Sequence, residues 1–102
     1  MKLSELITKE TIEIPGTGIK ITVRTDMTWF EFLAMCKIED PVERGIYSVR
    51  AMLESWQGLE DDDGKPLEVN EKNIRELPTT VMQYVADRLD KYVRDRKEKK
   101  TP

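Results

Sequence analysis

The sequence predicts an α+β fold: an N-terminal β-hairpin followed by a mainly α-helical bundle of three to four helices, in a single domain over residues 1–102. Three observations carry that expectation. Isoleucine and valine alternate with polar residues on both sides of a Pro-Gly-Thr-Gly stretch. Three helix starts are marked by capping residues, and apolar positions along the helices recur three and four residues apart.

The hairpin is expected at about 11–25. Ile12 and Ile14, then Ile19, Ile21 and Val23, give each strand one apolar face. Pro15, Gly16 and Gly18 supply turn backbone between them. Two strands alone are marginal in water, so their apolar face needs the helices that follow.

The first helix is expected at about 28–38. Thr28 is placed as its N-cap with Glu31 three residues on, a reciprocal capping box, and Met27 and Phe32 at hydrophobic-staple positions. The second, at about 41–56, opens with Asp40 as N-cap and Pro41 at the first helical position. Along it Val42, Ile46, Val49, Leu53 and Trp56 form one continuous stripe at helical spacing. Gly45 weakens its first turns by about 1 kcal/mol relative to alanine and suggests a close helix approach. Asn70 caps a short helix at about 70–77, flanked by the staple pair Val69 and Ile74. Pro78 ends it and starts the last helix, at about 78–97, whose inner face carries Met82, Val85, Ala86, Leu89, Tyr92 and Val93. A basic C-terminal end, 94–102, completes the chain.

Composition excludes several function classes. Histidine is absent and Cys36 is the sole cysteine. Tetrahedral zinc sites and histidine-based nucleophilic triads therefore have no residues to build them. A lone cysteine makes no internal disulfide, and no apolar run is long enough for a membrane span, so the expectation is a cytoplasmic protein with no membrane contact. A net charge of −3 gives no overall attraction to nucleic acid. No enzymatic activity and no cofactor are expected.

The acid run Glu60–Asp63 ahead of Gly64 invites a calcium reading. With Gly64 at position 6 of an EF-hand loop, Asp61 and Asp63 fall at positions 3 and 5. Position 1 is then Leu59 and position 12 is Asn70, so the first and the bidentate ligands are both missing. The expectation is an exposed turn in which Gly64 supplies positive φ, and neither a metal nor a catalytic site is assigned. Cys36, near the end of an apolar helix, reads as a small core residue. Trp29 and Trp56 read first as core anchors, with part of one left open to a partner. Trp29, Tyr47, Arg50, Met52, Trp56 and Tyr92 are the candidate partner-binding residues. The basic residues from Arg94 to Lys100 read as a solubilising helix end suited to the macrodipole.

The layout of the second half resembles the tail assembly chaperones of long-tailed bacteriophages and prophages. A helix ending in Trp56, the acidic "DDDGKPL" turn, "NEKNIRELP" and a closing helix with a basic end carry the resemblance, and "TVRTDMTWFEFLAM" is compatible with it. It covers roughly residues 20 to 98. It implies a small helical phage protein made during virion morphogenesis that binds the tape measure protein, with tail tube subunits as a second partner, and that is absent from the finished particle. Self-association is left open by it. Two other classes compete with this reading: a structural phage component such as a head–tail connector or tail completion protein, and a nucleic-acid-associated adaptor using the basic C-terminal helix.

Overall fold

The computed structural model describes the backbone of residues 1–99 and the side chains of residues 1–92. The side chains of residues 93–102, and with them the charges of the basic end at 94–102, lie outside the described residues, as does the backbone of 100–102.

The alternation in the N-terminal third becomes the expected hairpin. Strand β1 (Lys9–Glu13) pairs antiparallel with β2 (Lys20–Arg24), with Ile12 opposite Ile21. Ile12, Ile14, Ile21 and Val23 are all buried on one face. On the other, the hydroxyls of Thr11 and Thr22 lie 3.3 Å apart across the pair. The turn is closed by Ile14 N–H donating to Ile19 O at 2.9 Å.

Helix α1 (Trp29–Cys36) starts where its caps place it. Glu31 N–H donates to Thr28 Oγ1 at 3.1 Å, and Thr28 N–H to Glu31 Oε1 at 2.8 Å. Helix α2 (Pro41–Met52) likewise begins at its predicted cap, with Val42 N–H donating to Asp40 Oδ1 at 2.9 Å.

The end of α2 departs from the sequence reading. The helix stops at Met52 rather than near residue 56, and Leu53–Gln57 forms a third strand, β3, paired antiparallel with β2. Leu53 is at once the C-cap of α2, its N–H donating to Val49 O, and the first residue of β3. The stripe misled for a specific reason. Val23 faces Leu53 and Thr22 faces Ser55, which leaves Glu54 as an extra, bulged residue on β3. The bulge allows two residues three apart, Leu53 and Trp56, to point to the same side of a strand. Ordinarily a strand separates such positions by two or four.

A loop with Gly58 and Gly64 at positive φ leads from β3 to α3 (Glu71–Glu76). Asn70 caps α3 by accepting from Asn73 N–H at 2.8 Å. Pro78 follows, and its carbonyl accepts from the N–H groups of Val81 and Met82 in the long α4 (Thr79–Lys99). The sheet order is β1-β2-β3. One core joins the inner sheet face to Val49 and Met52 of α2, Ile74 of α3, and Val81, Val85 and Leu89 of α4. The fold is α+β with an N-terminal hairpin, as the sequence predicts; the third strand is the addition.

Candidate partner-binding surface

Among eight α1 residues, WFEFLAMC, only Glu31 is charged, yet none is buried. Trp29 is 71% and Phe30 80% exposed, with Phe32 and Leu33 near two-fifths. At about 100° per residue, Phe32, Cys36, Trp29, Leu33 and Phe30 fall in that order along an arc of roughly 160°. A helix apolar on all sides ordinarily belongs in an interior. Here the Trp29 and Phe32 rings stack on each other, with centroids 5.5 Å apart, instead of being covered. Trp29 is therefore no core anchor, and Cys36 is exposed rather than a small core residue. Apolar composition identified the helix; it carried no information on which side would be covered.

Polar contacts hold α1 in this position. Arg24 Nη2 at the end of β2 lies 2.7 Å from Glu31 Oε2 and 3.0 Å from Oε1, and also donates to Ala51 O of α2. Burial pushes the Glu31 carboxyl up, but hydrogen bonds from Arg24 and Thr28, with the Arg24 charge, outweigh it and hold the group below its usual value. Arg44 of α2 reaches back to Ile38 O through Nε at 3.0 Å and Nη2 at 2.7 Å.

Two adjacent apolar pockets, which together make a groove along α2 and α4, share the lining residues Gly45, Val49 and Ala86. One lobe, about 460 Å³, is walled by Met27, Phe32, Met35, Met52 and Leu89. The other, about 470 Å³, is walled by Val42, Ile46, Leu77 and Met82. Gly45 does not mediate a close helix approach: a Cβ built on it meets no atom within 4 Å. It opens the groove. Met27, Met35, Met52 and Met82 are four of the chain's five methionines, and all line the groove. Their spacing along the chain gave no hint of this, since a loop and three helices bring them together.

At the far end Arg75 of α3 bridges Glu43 of α2 at 2.6 Å and Glu71 at 2.7 Å, on the surface. These two carboxylates raise the Arg75 guanidinium further above its ordinary value.

The six candidate residues are not brought together. Met52 and Trp56 are core residues, 2% and 9% exposed, and Trp56 Nε1 donates to Leu67 O at 2.7 Å. Met52 still shows an edge to the groove. Tyr47 and Arg50 line a small separate cleft of about 160 Å³ with Ile38 and Glu71. Tyr92 is half-buried against the core; burial, then the charge of Glu10, pushes its phenol up. Of the six, Trp29 and Arg50 are exposed.

The acid run folds as the expected turn. Asp61 Oδ1 accepts from Asp63 N–H and Lys65 N–H, each at 2.9 Å, and Gly64 has φ +79°. Among the described residues no three acidic, cysteine or histidine side chains converge as a metal-holding group, and no helix is long and apolar enough to cross a membrane. No protein-family model, curated protein or solved structure matches this chain.

Proposed function

We propose that this protein is a non-enzymatic assembly chaperone of the phage-tail type, which keeps an apolar helical segment of the tape measure protein soluble by holding it between α2 and α4. The observation that supports this reading is the methionine lining of the groove. Methionine is unbranched and polarisable, so Met27, Met35 and Met82, beside the edge of the buried Met52, can adjust to different apolar side chains. That suits a client carrying many non-identical apolar stripes better than a single rigid ligand. From Thr79 to Asp90 the α4 wall is about 17 Å long, room for roughly three turns of a bound helix.

The test is Gly45→Leu. The substitution fills open space, carries no φ penalty and improves helix propensity, so the fold survives it. Titration calorimetry with amphipathic tape-measure fragments should show at least a tenfold loss of affinity, on the order of 1.4 kcal/mol. Equal binding by the wild type and the filled variant would remove the groove as the site.

A further inference from the structure

We infer that the free edge of β1 is a self-association surface, to which β1 of a second copy of this chain adds antiparallel about a two-fold axis at Thr11. No β1 residue lines the groove proposed for the client, so this inference is independent of that reading and can fail without it.

The backbone supplies the first argument. In the sheet order β1-β2-β3, β1 has a neighbour on one side only. Thr25 N–H donates to Thr8 O and Ile14 N–H to Ile19 O, with an unbroken register between those two pairs. An antiparallel ladder alternates bonded and non-bonded pairs, so Glu10 and Ile12 also turn their backbone groups toward β2. Lys9, Thr11 and Glu13 turn theirs outward, and among the described residues these outward groups have no hydrogen-bond partner. All three residues are exposed. Such an edge is a template for another strand. Pro15, with no N–H to donate, ends the outward ladder beyond Glu13.

Charge decides what that strand is. With the axis at Thr11, Lys9 stands opposite Glu13 of the second copy, and Glu13 opposite Lys9 of the second copy. An axis at Lys9, Glu10 or Glu13 would set that residue against itself, and like charges directly opposite are destabilising. An axis at Ile12 forms no charge pair. The segment Lys9–Glu13 is thus its own complement in one register. Lys9 Nζ already holds Glu54 Oε2 of β3 at 2.9 Å, so it would lie between two carboxylates. Glu13 makes no ion pair among the described residues, and the second copy supplies one. About six main-chain hydrogen bonds would then join the two three-stranded sheets into one. The contact consumes the β1 edge of both copies, so assembly closes at the dimer.

Sedimentation equilibrium of the full chain up to about 1 mM should show a monomer–dimer equilibrium that stops at the dimer. Lys9→Glu and Glu13→Lys, both at exposed positions, should each weaken dimerisation about tenfold with unchanged circular dichroism, because both charge pairs become like-charge pairs. The double variant Lys9→Glu/Glu13→Lys restores opposite charges across the axis and should pair as the wild type does. An equimolar mixture of the two single variants should pair as well. Amide hydrogen exchange identifies the edge directly: Lys9, Thr11 and Glu13 should exchange more slowly at about 1 mM than at about 20 µM. The inference is overturned by a wild type that stays monomeric, by growth past the dimer, by single variants that still pair, or by a double variant that does not. Slowed exchange confined to any other element would place the contact there and overturn it too. A monomeric wild type in which a tape-measure fragment slows the same three amides would give the edge to a client strand instead.

Discussion

Arg24 and Glu31 form a two-pronged contact from a single nitrogen, Nη2 lying 2.7 and 3.0 Å from the two carboxylate oxygens. The same nitrogen donates to Ala51 O, so one side chain ties β2 to α1 and α2. Glu31 in turn belongs to the capping box of α1.

Charge at Glu31 therefore has a measurable pH signature. Its carboxyl is depressed in the folded state, so its stabilisation is fully present above the unfolded value of about 4.3 and is lost as pH falls through the lower folded value. Glu31→Gln keeps a cap acceptor but removes the charge, and should cost about 1–2 kcal/mol at neutral pH. Urea denaturation of both proteins at about pH 7 and pH 3 checks the sign, since the gap should close at the acid end. A gap that persists in acid would assign the loss to packing.

Trp56 fills the core and donates its indole N–H to Leu67 O. Trp56→Ala should cost about 3–5 kcal/mol and Leu53→Ala about 2–5 kcal/mol. Trp56→Phe, which leaves the Leu67 carbonyl without its donor, should cost about 1–3 kcal/mol. Chemical denaturation ranks the three. Full stability in Trp56→Ala combined with loss of client binding would make Trp56 a contact residue instead.

Two glycines with similar backbone should respond differently to alanine. Gly64 at φ +79° has open space around it, so Gly64→Ala should cost about 1 kcal/mol for the left-handed conformation alone. Gly58 at φ +86° would place its Cβ 2.8 Å from Gly18 O, across from the β1–β2 turn. Gly58→Ala should add a backbone clash and cost about 2–4 kcal/mol. Thermal melting of the pair tests the order.

Gly45 has no such constraint. Gly45→Ala should stabilise the protein by about 0.5–1 kcal/mol through helix propensity and reduced unfolded-state entropy. A melting temperature below that of the wild type would show that the groove closes over this position.

Local signals were the legible part of this chain. Thr28, Asp40 and Asn70 each cap the helix that their neighbours announce, because a cap is decided within four residues. The hairpin was readable from alternation for the same reason. β3 was not, because the bulge at Glu54 gives Leu53 and Trp56 a helical spacing that only pairing with β2 reveals as a strand. The candidate surface was largely invisible. Trp29 was recognised as prominent, but its exposure depends on what packs elsewhere, and the methionine groove is assembled from positions 27, 35, 52 and 82 by tertiary contacts alone.

The passage from α2 into β3 through Leu53, with no residue between helix and strand, has a mechanical consequence. One wall of the groove is continuous with the sheet and cannot pivot on a linker. The opposite wall, α4, is anchored to the same core through Val81, Val85 and Leu89. Both walls are thus tied to one core rather than to a linker, and in the proposed role adjustment to a client would fall first to the methionine side chains. Capture should therefore follow simple one-step kinetics, its observed rate rising linearly with client concentration and without a plateau.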